Sequence, residues 1–163
     1  MSDPLATVEA FPDHALEREE QFLTAFDSLA RAIRRARGAP NSGEEGLTLS
    51  QYGLLAPLAD RNQARTGELA EAAGITASTA TRILDALERR DVVVRLQAAD
   101  DRRAVAVRLT LRGRMLLDRH RDWIRERQRG FYAELEPDER ALAPDLLSRL
   151  AGLIDQLAAG PRR

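Results

Sequence analysis

Residues 100–110 read DDRRAVAVRLT, and in them Val105, Val107 and Leu109 alternate with smaller or charged residues. That two-residue period is the mark of a half-buried strand. A second apolar run, VVVRL at 92–96, lies upstream, and the polar, arginine-bearing stretch 97–103 joins the two. Two such runs predict a β-hairpin, although one without the Asn-Gly or Asp-Gly pair of the tightest turns. An isolated hairpin is marginal in water, so this one must pack against the helices that precede it.

Those helices are legible from apolar residues at three- and four-residue steps. Along 14–37, Leu16, Phe22, Leu23, Phe26, Leu29, Ala30 and Ile33 form one face of a long amphipathic helix that ends in a loop containing Gly38, Pro40, Gly43 and Gly46. Thr48 and Gln51 are spaced as a capping box, while Gly53 and Pro57 predict a short or bent element. Thr66 reads as the cap of a following helix through residue 73, and Thr76 as the cap of another through residue 90. In this second helix Ala80, Ile83, Leu84 and Leu87 make an apolar stripe, which leaves Ala77, Ser78, Thr81 and Arg82 facing outward near its start. After Thr110 the chain is helical again, with Leu111, Met115, Leu116, Trp123, Ile124, Phe131 and Leu135 on one stripe. Pro137 opens a final helix carrying Leu142, Leu146, Leu150, Leu153 and Leu157, and Pro144 within it is expected to kink it.

Bulk composition narrows the function classes. Aromatic residues are only 4% of the chain, so the core must be aliphatic, which suits helix packing. The absence of cysteine excludes disulfides, thiolate zinc sites and cysteine redox sensing. The opening residues lack a basic region followed by an apolar run, and no stretch of about 18 apolar residues occurs. A soluble, cytoplasmic protein without membrane contact is therefore expected. The only histidines, His14 and His120, have no HExxH or cysteine partner, so no metal or other cofactor is called for. There is no glycine-rich phosphate loop, no GxSxG and no nucleophile beside a histidine, which argues against an enzyme.

The net charge of −1 is unevenly distributed. Residues 1–60 carry 10 acidic residues and 5 arginines, 61–114 carry 7 and 11, and 115–163 carry 9 of each. A basic middle within a neutral whole is expected when one module touches phosphate and the rest does not. All 25 basic residues are arginine. A GC-rich coding bias would account for this, and arginine also suits bidentate contacts to phosphate and guanine.

A helix, a tight turn, a second helix with a polar leading face and an arginine-bearing hairpin make a winged helix-turn-helix in a mainly α chain. In such a module the second helix enters the major groove and the wing reaches the adjacent minor groove. The residues also carry a resemblance. Leu47-Thr48-x-x-Gln51, GELAEAAGIT (67–76), TRILDALERR (81–90), Asp101-Arg102-Arg103, Leu109-Thr110-x-x-Gly113 and LEPDERALA (135–143) stand in the order and spacing of the MarR family, which the chain resembles from about residue 16 onward. The resemblance implies a homodimer on a palindromic double-stranded DNA site, probed by two winged domains. The first and last two helices would form its dimerisation platform. It also implies a repressor released by a small aromatic or phenolic ligand. On this reading, residues 1–13 are a flexible arm, 14–46 and 111–163 the helical dimerisation region, and 47–110 the DNA-binding domain. The chain departs from the family pattern in having Asp91 where Gly is usual. Its wing, Ala98-Ala99-Asp100-Asp101-Arg102-Arg103, also lacks the usual Asp-Pro.

The DNA-binding candidates are Arg65, Thr66, Ala77, Ser78, Thr79, Thr81, Arg82, Arg102 and Arg103, and the resemblance implies that Asp101 orients one wing arginine while the other is free for DNA. Each has a plainer reading: Thr66 as a cap alone, the Ser/Thr-rich start as a solvated face, and the wing arginines as exposed ion pairs. Phe22, Phe26, Tyr52 and Trp123 are candidates for ligand contact, with core packing as the alternative. The rival function is a winged module that binds protein rather than DNA. The arginine excess over 61–114 weighs against it.

Overall fold

A computed structural model describes residues 13–39, 46–97 and 105–160. They divide into two units, one up to Leu117 and one from Asp118. In the first unit, α1 (Asp13–Gly38) is followed by α2 (Leu49–Leu55), a 3-10 turn (Ala56–Ala59), β1 (Ala64–Arg65), α3 (Thr66–Ala73), α4 (Ala77–Arg89), β2 (Val93–Gln97), β3 (Val105–Leu109) and the first turns of α5 (Leu111–Glu134).

Local chemistry sets the ends of these helices. The Thr48 hydroxyl accepts the Gln51 N–H at 3.1 Å and the Gln51 amide oxygen accepts the Thr48 N–H at 3.0 Å, closing the expected capping box. Pro57 falls within the 3-10 turn, which ends the short α2. Between α3 and α4, Gly74 takes a left-handed conformation with φ of 63°, accessible to glycine without a Cβ penalty, and ends α3 three residues before α4 begins. Thr76 then caps α4, its hydroxyl accepting the Thr79 N–H. Two expectations change. The cap of α3 is Arg65, one residue ahead of Thr66, with the Glu68 carboxylate accepting the Arg65 N–H at 3.1 Å. The sheet also has three strands instead of two.

The hairpin is antiparallel, with Val93 opposite Leu109, Arg95 opposite Val107 and Gln97 opposite Val105. The added strand, β1, pairs on the other side of β3, Ala64 opposite Val107 and Arg65 opposite Ala106. Two residues of Ala-Arg carry no period of their own, so only the tertiary pairing identifies them as a strand. The core beneath the sheet is aliphatic: Leu54, Leu55, Leu58, Leu69, Leu84, Leu87, Val92 and Val107 are fully buried. Each such side chain contributes roughly 1.5–3 kcal/mol through removal from water.

One junction fixes α4, the hairpin and α5 together. Asp91 adopts φ of 55°, the left-handed conformation that glycine most readily takes. This turns the chain so that the Val92 N–H bonds back to the Leu87 carbonyl at 2.9 Å. The Val92 carbonyl in turn accepts the Thr110 N–H at 3.1 Å. The Thr110 hydroxyl donates to the Asp91 carbonyl at 2.7 Å and accepts the Gly113 N–H at 2.9 Å, so one side chain both caps α5 and ties it to the end of α4. Gly113 is required by contact: a Cβ there would lie 1.9 Å from the Val92 oxygen.

The second unit contains the rest of α5 and α6 (Pro137–Ala159). Arg140 caps the end of α5, donating to the Tyr132 and Ala133 carbonyls at 3.1 and 2.6 Å while its guanidinium stands over the Tyr132 ring. Helix α6 runs unbroken through Pro144, and none of its residues is buried.

Two substitutions at the junction should have opposite effects in urea unfolding. Asp91→Gly is expected to stabilise the protein by about 1 kcal/mol, because it relieves the left-handed strain and removes a negative charge from a helix C-terminus. Gly113→Ala is expected to destabilise it by roughly 1–3 kcal/mol, the range for overpacking.

Candidate nucleic-acid interface

The apolar stripe of α4 decides which face is left for a ligand. Ala80, Leu84 and Leu87 are fully buried, and Ile83 packs against the same core. Thr76, Ala77, Ser78, Thr79, Thr81 and Arg82 are all exposed at the N-terminal end. Their polar groups are partly organised among themselves. The Thr76 hydroxyl lies 3.0 Å from that of Ser78 and 2.9 Å from that of Thr79, while the Thr81 hydroxyl donates to the Ala77 carbonyl at 2.9 Å. Thr79 is therefore drawn into the cap, whereas Thr81 retains acceptor capacity and a methyl group on the exposed surface. Arg82 has no hydrogen-bond or ion-pair partner among the described residues and stands as an exposed cation.

Arg65 and Thr66 sit where β1 passes into α3, Arg65 exposed and Thr66 half-buried. Asp101, Arg102 and Arg103 lie outside the described residues. The strands leading to them, β2 and β3, are in register up to the Gln97–Val105 pair.

An arginine missed by the sequence reading ties the hairpin to α4. Arg95 shares the inward face of the sheet with Val107. Its Nη2 lies 2.6 Å from an Asp85 carboxylate oxygen, and its Nη1 lies 2.7 Å from Glu88 Oε2. The other Glu88 oxygen accepts the Arg95 backbone N–H at 3.3 Å, satisfying an outward donor of the edge strand β2. The available signal was an arginine on the inward parity of a strand, facing two acids three residues apart on the preceding helix.

Further ties lead away from α4 and α2. Arg90 donates to the Gly46 carbonyl at 2.8 Å, and the Ser50 hydroxyl donates to the Arg37 carbonyl of α1 at 2.7 Å. These anchor the winged module to the segments that precede it.

The four aromatic candidates separate by unit. Phe22 and Phe26 stack along α1 with centroids 6.4 Å apart, and Tyr52 is half-buried against the core. In the second unit, Trp123 is exposed, with the His120 ring 5.6 Å and the Arg127 guanidinium 5.9 Å from its centroid. Burial lowers the His120 pKa below its ordinary value, favouring the neutral imidazole. Among the described residues no group of three metal-ligating side chains occurs, and no helix is long and apolar enough to cross a membrane.

Comparison with known proteins agrees with this architecture. A sequence model of the MarR family matches residues 47–105, the segment from the start of α2 to the return strand of the hairpin. The HTH-type transcriptional regulator FarR of Neisseria gonorrhoeae is 30% identical over 128 residues, covering 78% of this chain and 88% of that protein. Among solved structures, Streptococcus pneumoniae FabT in complex with DNA superposes with a TM-score of 0.67 at 19% identity, over 87% of this chain and 99% of that one. The PcaV transcriptional regulator from Streptomyces coelicolor, bound to its natural ligand, gives a TM-score of 0.56 at 25% identity, over 91% and 98% of the respective chains. With its order of helices, its three-stranded wing sheet and the exposed start of α4, the chain belongs to the MarR family of winged helix-turn-helix transcription regulators.

Proposed function

We propose that this regulator acts as a cytoplasmic homodimeric repressor, not as an enzyme, and that the N-terminal turns of α4 read base edges in the major groove. The observation that carries the reading is the exposed set Ala77, Ser78, Thr79, Thr81 and Arg82, the last without a partner among the described residues, on a helix whose other face buries Ala80, Leu84 and Leu87. Short side chains let the helix backbone approach the groove, and the helix N-terminus favours phosphate. Arg82 is assigned to base or phosphate contact, Ala77, Ser78 and Thr81 to close approach, and Thr79 mainly to the cap. Arg65 and Thr66 are assigned to backbone phosphate, and at least one of Arg102 and Arg103 to the minor groove, with Asp101 orienting the other.

Residues 14–46 and 111–163 are assigned to dimerisation. Leu16, Phe22 and Leu23 on α1 are exposed, as are Leu142, Leu147 and Leu157 on α6, which has no buried residue of its own. Apolar surface of this extent calls for a partner. The symmetric dimer would place its two reading helices one turn of DNA, roughly 34 Å, apart on a palindromic site. PcaV is a regulator solved with its natural ligand. By analogy, an effector is assigned to this chain, with Phe22, Phe26, Tyr52 and Trp123 as candidate contacts; its small aromatic or phenolic character rests on the family resemblance.

Three measurements test the proposal. Fluorescence anisotropy with duplex from upstream of the protein's own gene should show tighter binding than random duplex, with log affinity falling steeply against log salt. Equal affinity for both duplexes, with little salt dependence, would contradict a sequence-reading role. Arg82→Ala should reduce discrimination among operator variants, with a loss of roughly 1–3 kcal/mol on the preferred site. Arg102→Ala and Arg103→Ala should weaken binding more evenly across sequences. Light scattering should give twice the chain mass at micromolar concentration, and a monomer would contradict the dimer assignment.

A further inference from the structure

Arg95 poses a problem that the DNA-reading assignment does not absorb. It is an arginine in the wing sheet of a DNA-binding module, yet its guanidinium is turned inward and held by two carboxylates. Its side chain is only 26% exposed, against 44% for Asp85 and 41% for Glu88. A guanidinium already engaged by two acids is poorly placed to neutralise phosphate.

The geometry favours a different role. Thr81, Asp85 and Glu88 follow one another at four- and three-residue steps, which places them on one stripe of α4. Arg95 spans that stripe, meeting Glu88 at two points and Asp85 at one, with Nη2 also 3.4 Å from the Thr81 carbonyl. Thr81 and Arg82 belong to the exposed reading face, so the upper end of the clamp lies directly behind the residues assigned to bases. The hydrophobic stripe holds α4 against the core but is non-directional. By contrast, a planar guanidinium bonded to two carboxylates and a backbone oxygen fixes rotation about the helix axis and the angle of the wing.

We propose that Arg95 is a positioning residue for sequence discrimination: clamped by Asp85 and Glu88, it sets the orientation of α4 relative to the wing so that both reach their grooves together. It does not touch DNA. The proposal rests on the assignment of α4 as the reading helix.

Charge makes the proposal testable by sign. If Asp85 and Glu88 act only as charges near DNA, the double variant Asp85→Asn, Glu88→Gln loses two repulsive groups and should bind every duplex more tightly. If they position α4 through Arg95, the same variant should lose operator affinity by roughly ten- to a hundredfold, the size of a mispaired base contact or somewhat more, while its affinity for random duplex is unchanged or higher. Arg95→Gln should show the same selective loss. Its salt dependence on random duplex should match the wild type, because no phosphate contact is removed. A direct contact would instead lower the salt slope by about 0.9 and weaken both duplexes together. Arg95→Lys should recover only part of the discrimination, since an ammonium does not reproduce the planar two-carboxylate grip.

Anisotropy titrations of wild type and these variants on operator and random duplex, with far-ultraviolet circular dichroism and melting curves as controls for folding, decide the matter. Selective operator loss in both Arg95→Gln and the double variant, with near-wild-type melting, supports the clamp. Uniformly tighter binding by the double variant, or uniformly weaker binding with a reduced salt slope for Arg95→Gln, overturns it. A wild type that does not prefer its operator, or an Arg82→Ala variant with undiminished discrimination, overturns the reading-helix assignment instead, and the clamp proposal with it.

Discussion

The carbonyl oxygen of Val92 is the point at which three elements of the fold meet. It follows the turn that ends α4, accepts the Thr110 N–H as the return strand closes, and leaves no room for a Cβ on Gly113 in the first turn of α5. Polar backbone groups in such a buried place must be paired, and here the partners come from the elements to be joined. Asp91 makes the arrangement accessible by adopting a positive φ, and Thr110 completes it with one hydroxyl that donates to the end of α4 and accepts from the start of α5. The spacing of Leu109-Thr110-x-x-Gly113 thus has a mechanical meaning: a strand end, a cap, and a glycine cut away to admit a neighbouring carbonyl.

From this junction follows the division of labour along α4. Its C-terminal end is bound to the core and the hairpin, while its first turns project a set of small polar side chains and one arginine without a partner among the described residues. The Thr76 hydroxyl already bonds to those of Ser78 and Thr79, which limits the conformational freedom lost on docking. Arginines in the module take distinct parts. Arg82 is exposed, Arg90 ties the far end of the helix to Gly46, and Arg95 is engaged by acids. A count of positive charge over the module identifies it as basic, but only the pairing reveals which charges remain available for a ligand.

Much of this organisation was legible in the sequence because it rests on local rules. The alternation at Val105, Val107 and Leu109, the capping residues Thr48 and Thr76, and the stripe Ala80–Leu84–Leu87 each follow from the geometry of a single element. The tolerance of Asp91 for a left-handed turn was also readable from its short polar side chain. What escaped depended on contacts between elements. The strand Ala64–Arg65 exists only through its pairing with β3, and the cap at Arg65 in place of Thr66 follows from that pairing. Arg95 looked like an ordinary polar residue of a strand until β2 was laid beside α4 and two carboxylates closed on it.

The proposed dimer sets the exposed start of α4 in the major groove, with two copies one helical turn apart. Methylation interference reads this directly, because dimethyl sulfate places its methyl group on guanine N7, an acceptor at the floor of that groove. On an operator selected from random duplex by this protein, two symmetric clusters of interfering guanines are expected, with centres roughly 10 base pairs apart. Interference absent from guanine N7, or confined to a single cluster, would contradict it.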